Sequence, residues 1–144
     1  MIDQLEKDRA SRPDLFHFFE PIHPERLNEW LRERRLTVPP DLRGFWCETG
    51  GGDLFESETV LGPFAPADLG DDLESENRHQ WQKGMPPDWL VFHTGLRLSV
   101  IIMSSGKYAN VREDSFAVQE TFPSLEDWYL RLIRKEYAVR YCLL

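Results

Sequence analysis

The stretch Val38-Pro39-Pro40-Asp41-Leu42-Arg43-Gly44-Phe45-Trp46-Cys47-Glu48-Thr49-Gly50-Gly51-Gly52 spells out a short amphipathic helix with both of its ends written in. The two prolines suit the approach and first turn, where their missing N–H groups have no intrahelical partner in any case. Leu42, Phe45 and Trp46 fall at i, i+3 and i+4 and make one broad apolar stripe. The glycines then stop the helix, because glycine takes the left-handed conformation at little steric cost. An extended run, Asp53–Leu61, follows directly. Two large aromatics on a short helix that turns sharply into a strand form a packing device. The stretch holds no nucleophile–base pair and no set of metal ligands, which argues for a protein that works by presenting a surface.

Upstream of it the chain reads as helical with one interruption. Ile2–Ala10 is a short helix, Pro13–Phe19 a second apolar turn or helix, and Pro21 a break. His23-Pro24-Glu25 opens a helix through Arg35, with Leu27, Trp30 and Leu31 repeating the same stripe. Arg32, Arg34 and Arg35 in its last turns suit the negative end of the helix dipole. Downstream, Leu54–Leu61 reads as a strand ended by Pro63 and Pro66. The densest acidic run, Asp68 to Glu76, is either a loop or the first turns of a helix continuing through Trp81. Trp89–Thr94, Leu96–Met103, Lys107–Val111 and Phe116–Glu120 are four strand-like runs joined by hairpin-length connections, so the sheet is expected to be a mainly antiparallel meander.

Ser124 then caps a closing helix, with Asp127 at the capping-box position. Its buried face is expected to be Leu125, Trp128, Tyr129, Leu132, Ile133 and Tyr137, and Cys142-Leu143-Leu144 forms a packed tail. The fold class is therefore α+β: N-terminal helices, a central mainly antiparallel β-meander, and a C-terminal helix packed on the sheet. Without an internal repeat, low-complexity tract or linker, residues 1–144 read as one domain.

The charge balance, 25 acidic against 17 basic residues for a net −8, disfavours nucleic acid as a direct partner, since neutralising phosphates needs a basic face. The same charge attracts a basic protein, although it also serves plain solubility. Cys47 and Cys142 have neither a C-x-x-C neighbour nor a histidine at metal-ligand spacing, so no disulfide framework, metal or cofactor is expected. The charged N-terminus lacks the apolar core of a signal peptide. No apolar run approaches the ~20 residues of a membrane span, and a cytoplasmic setting fits.

Catalytic signatures are missing. His17, His23, His79 and His93 lie far apart, and His93 reads as a satisfied, half-buried side chain ending a strand. Gly50–Gly52 resemble a phosphate loop only in composition. Such loops precede a helix, whereas these glycines follow one. Glu48, Asp53, Glu56 and Glu58 cluster near the turn, but their charged, glycine-rich surroundings indicate solvated carboxylates and no raised-pKa acid. The better candidate is a binding segment: Asp68, Asp71, Asp72, Glu74 and Glu76 beside Trp81 offer charge and an aromatic anchor on a loop. The competing reading is a solvated loop whose Trp81 plugs the core edge.

The order "VPPDLRGFW…TGGG" resembles the opening signature of the SUKH superfamily, which includes the fungal SMI/KNR cell-wall-assembly regulators and many bacterial relatives. In that family a Leu-Pro or similar pair starts a helix that ends in Asn-Gly-Gly, and Thr49-Gly50-Gly51-Gly52 stands in its place here. Trp89-Leu90-Val91-Phe92-His93-Thr94-Gly95 resembles the central strand, and Phe122-Pro123-Ser124-Leu125-Glu126-Asp127-Trp128 the start of the closing helix. The resemblance is strongest over residues 24–138. It implies the same α+β fold and a non-enzymatic binding role. Many bacterial members look like immunity proteins that neutralise a toxin domain, often a nuclease, so the implied partner is a basic toxin domain. A regulatory scaffold of the fungal type is the alternative within that class. A small hydrolase or ligand-binding protein using the carboxylates near Gly50–Gly52 is the alternative outside it.

Overall fold

Seven short strands pair in chain order into one antiparallel sheet: β1 Phe16–Phe18, β2 Gly52–Leu54, β3 Glu58–Val60, β4 Trp89–Thr94, β5 Leu98–Ile102, β6 Lys107–Val111 and β7 Val118–Phe122. The computed structural model describes residues 2–143, so Met1 and the tail residue Leu144 lie outside it. Helices α1 Asp3–Ser11, α2 Pro24–Glu33 and α3 Pro40–Thr49 precede or interrupt the first strands, and α4 Leu73–Gln82 separates β3 from β4. The closing helix begins as α5 Leu125–Trp128, widens into a π-helical segment over Tyr129–Arg134 and finishes as α6 Lys135–Tyr137. The α+β class and the meander are as expected. The closing helix buries all six residues assigned to its inner face.

Three local readings are corrected. Pro13–Phe19 is a single 3-10 turn, Pro13–Leu15, that runs into strand β1. The helix expected through Arg35 ends at Glu33. The strand expected over Leu54–Leu61 is a hairpin, because Phe55 and Glu56 take left-handed φ of 53° and 62°. A buried aromatic at that conformation carries a steric cost of about 1–2 kcal/mol. Packing outweighs it: Phe55 is fully buried, 4.9 Å from the Phe16 ring and 5.1 Å from the Tyr137 ring. Deleting such a side chain costs about 3–5 kcal/mol. Its apolar character reads as strand in the sequence, whereas the residue is a turn tip folded into the core.

The opening helix behaves as written. Gly50 ends α3 in the left-handed conformation, its N–H donating to the Trp46 carbonyl at 2.8 Å. A Cβ there would stand 2.1 Å from the Glu20 carbonyl oxygen, so only glycine fits. The Thr49 hydroxyl accepts from the Gly51 N–H at 3.0 Å. The start of α3 also fixes the closing helix: Asp41 accepts from the Leu125 N–H at 2.8 Å and from the buried Tyr108 hydroxyl. Ser124 caps α5 as expected, accepting from the Asp127 N–H at 3.1 Å.

Candidate functional site

Two places on the fold hold the candidate chemistry: the buried polar row at the centre of the sheet, and the acidic segment that leads into α4. The first begins with a bulge in β4. Pairing with β5 slips between Val91 and His93, so consecutive residues Phe92 and His93 both reach the Trp128 ring, at 5.0 and 5.1 Å. His93 is fully buried, where half-burial was expected. Its Nδ1 lies 2.8 Å from the Ser99 hydroxyl and its Nε2 lies 2.9 Å from the Glu58 carboxylate. Trp128 Nε1–H donates to Ser99 at 2.9 Å, and the Ser99 hydroxyl is free to donate in turn to His93 Nδ1. The neutral ring, protonated at Nε2, therefore satisfies every group in the row.

Glu58 corrects the reading of solvated carboxylates near the glycine turn. It is 3% exposed and accepts from His93, from the Tyr137 hydroxyl at 2.8 Å and from the Leu96 N–H at 3.2 Å. Burial pushes its pKa up, but these donors outweigh that and hold it below the ordinary glutamate value. Burial likewise keeps His93 below the usual histidine value, against the pull of Glu58. Burial and Glu58 together push the Tyr137 hydroxyl up to about 12. Of the other three carboxylates in that cluster, Asp53 is half-buried and accepts from Thr59, while Glu48 and Glu56 are exposed.

Ser99, His93 and Glu58 have the connectivity of a nucleophile, base and acid. Catalysis also needs access, and Ser99 and His93 have none. A void of about 20 Å³ beside Glu58 has room for a single water. The row is a buried hydrogen-bonded tie between β3, β4, β5 and the closing helix. One signal in the sequence marks it: Glu58 shares the inward phase of Val60, with Thr59 between them.

The acidic segment divides into separate jobs. Ala67–Leu69 forms a 3-10 turn that leaves Asp68 exposed and Leu69 61% exposed. Asp72 is the N-cap of α4, accepting from the Ser75 N–H at 2.9 Å, while its second oxygen is buried without a partner. Burial, Asp53 and Asp72 all push the half-buried Asp71 carboxyl up. Glu74 is engaged by Arg34 and by Arg78, and Glu76 by the Gln80 amide at 2.9 Å. Trp81 is half-buried and donates to the Trp89 carbonyl at 3.0 Å. Glu74 and Trp81 also line a groove of about 410 Å³ between α2 and α4, with Trp30, Leu36 and Leu73. Asp68 and Leu69 protrude, Asp71 is half-buried beside them, and the rest of the segment is largely used to build α4.

An antiparallel meander in chain order, opened by a helix that stops on glycines and closed by a helix capped at Ser124, defines an α+β binding-domain architecture with its polar chemistry sealed inside. The chain belongs to the SMI1 / KNR4 family (SUKH-1), whose family model matches residues 21–131. A crystal structure of a protein from Pseudomonas syringae pv. tomato has the same fold, with a TM-score of 0.63 at 16% identity over 92% of this chain and 97% of that one. No curated protein matches the chain. Among the described residues no helix is long and apolar enough to cross a membrane, and no group of three or more His, Cys, Asp or Glu side chains is placed to hold a metal ion.

Proposed function

We propose that this protein is an immunity-type binding module that neutralises a toxin domain with a basic surface, a nuclease being the natural candidate. Family membership supports the non-enzymatic, protein-binding part of this reading. The observation that carries the rest is the protruding turn: Asp68 and Leu69 exposed beside Asp71, with no cation of the chain paired to either aspartate among the described residues. An acidic tip with an apolar side chain at its summit suits a basic surface bearing a small pocket, since charge speeds encounter and the apolar contact slows release. Asp72, Glu74, Glu76 and Trp81 act as the support of that tip, with Glu74 and Trp81 also forming one wall of the adjacent groove.

The test is co-expression with the toxin encoded in the neighbouring reading frame. Growth should be rescued by the parent chain. It should be lost with Asp68→Lys plus Asp71→Lys, two changes that spare the Asp72 cap and the Glu74 ion pairs. Rescue that survives this double reversal removes the acidic tip from the mechanism, and failure of the parent chain to rescue removes the immunity reading altogether.

A further inference from the structure

The groove of about 410 Å³ between α2 and α4 has apolar walls, built from Trp30, Leu36, Leu73 and Trp81. Its charged lining residues are Arg34, Glu74 and Arg78. Both oxygens of Glu74 are taken, Oε2 by Arg34 and Oε1 by Arg78 at 3.3 Å. Two guanidinium groups on one carboxylate leave the lining with an unbalanced positive charge, in a chain of net −8. Glu33 lies 3.7 Å from Arg34 but outside the lining. It is offset by Arg32 and Arg35, which pair with no carboxylate among the described residues. The groove therefore suits an apolar side chain that arrives with a carboxylate beside it.

The chain carries such a group itself. At the turn Ala67–Leu69, Leu69 stands out between the exposed Asp68 and the half-buried Asp71. The turn is preformed: the Leu69 N–H donates to the Pro66 carbonyl at 3.2 Å. Gly62 holds its far side, donating to the Asp71 carbonyl at 3.0 Å and accepting from the Leu73 N–H at 3.0 Å. A preformed tip loses little freedom on docking. The same bonds hold it out of the groove of its own chain, whose wall begins at Leu73, and Leu69 takes no part in that lining. Tip and groove thus sit side by side on one face, complementary in charge and in apolar character.

We infer that two copies of this chain pair about a two-fold axis, each inserting Leu69 into the α2–α4 groove of the other while Asp68 approaches Arg78. A self-complementary patch of this kind is what an isologous interface requires, since every contact then occurs twice. The dimer stands independently of the toxin-binding reading, but one consequence rests on that reading. Because the dimer covers Asp68 and Asp71, it and the toxin complex exclude one another, and a toxin must first separate the two copies.

The experiment is sedimentation velocity on the whole chain from about 1 μM to about 1 mM. The parent should show a concentration-dependent dimer. Leu69→Ser alters the tip and Arg78→Glu the groove, and each should weaken the dimer at least tenfold. Both side chains are exposed, so the variants should keep the circular dichroism spectrum of the parent. Adding Asp68→Arg to Arg78→Glu reverses both charges of the contact and should recover at least tenfold of the lost affinity. A parent monomeric up to about 1 mM overturns the inference, as does a dimer indifferent to Leu69→Ser and Arg78→Glu, or a double variant no tighter than Arg78→Glu alone. A monomeric parent that still rescues growth overturns the dimer and leaves the acidic-tip reading intact. A dimer that responds as expected in a chain that fails to rescue supports the dimer and removes the immunity reading.

Discussion

Replacing His93 by Gln removes the imidazole buried inside the sheet and should flatten the acid side of the stability curve. In the folded chain burial holds His93 below its ordinary value of 6.5, and a neutral ring that accepts from Ser99 and donates to Glu58 fits the hydrogen-bond pattern. The unfolded chain takes up a proton near pH 6.5 that the folded chain refuses. Stability from this group is therefore complete above pH 6.5 and is lost as the pH falls below it. One proton corresponds to about 1.36 kcal/mol per pH unit, so His93 lowers the parent chain's stability by at most that slope for as long as the folded ring stays neutral. Glu58, held below its ordinary value, adds a further loss only as the pH drops through the carboxylate range. The variant should be less stable at pH 7.5 by about 1.5–3 kcal/mol, the worth of a hydrogen bond to a charged group. Its stability should then change less than that of the parent from pH 7.5 to 5.0. Urea titrations followed by tryptophan fluorescence at four pH values across that range provide the measurement. A parent curve that is flat or rises toward pH 5.0 would mean a charged imidazolium paired with Glu58 and would refute the reasoning.

Gly50→Ala and Gly70→Ala place a methyl group at nearly the same φ, 75° and 74°, but Gly70 has open space where Gly50 faces the Glu20 carbonyl. Gly70→Ala should cost about 1 kcal/mol and Gly50→Ala more than 3 kcal/mol, read from urea midpoints; equal costs would deny the steric role of the turn. Asp41→Ala should cost about 2–3 kcal/mol, since it leaves the Tyr108 hydroxyl and the Leu125 N–H without an acceptor, and hydrogen exchange should quicken first at the start of α5. Gly95→Ala puts a Cβ 2.4 Å from the Glu58 carboxylate and should cost about 1–3 kcal/mol, an effect that should shrink in the Glu58→Ala background if the contact is its cause.

What the sequence made legible was whatever rests on local pattern. The stripe Leu42, Phe45, Trp46, the glycine stop and the Ser124 cap are all decided within a few residues, and each is found where the pattern puts it. Phe55 defeated the reading because its conformation is set by Phe16 and Tyr137, partners 39 and 82 residues away. Glu58 looked solvated for the same reason: its compensation comes from His93 and Tyr137, invisible in the charged run around it. The acidic run was legible as charge, but not as labour. That Asp72 caps α4 depends on where α4 begins, and that Glu74 holds Arg34 depends on where α2 ends.

The first helix has a particular dependence on the last. Leu5 and Asp8 are the buried residues of α1, and Asp8 accepts from the Tyr129 hydroxyl at 2.6 Å and from the Arg134 guanidinium at 2.9 Å. During synthesis, nothing upstream of Tyr129 can supply those donors. α1 therefore gains these two contacts only after more than a hundred further residues have been made. A nascent chain stalled in the meander would leave this segment as bait for chaperones and proteases, and its sudden protection would time the moment at which the fold closes.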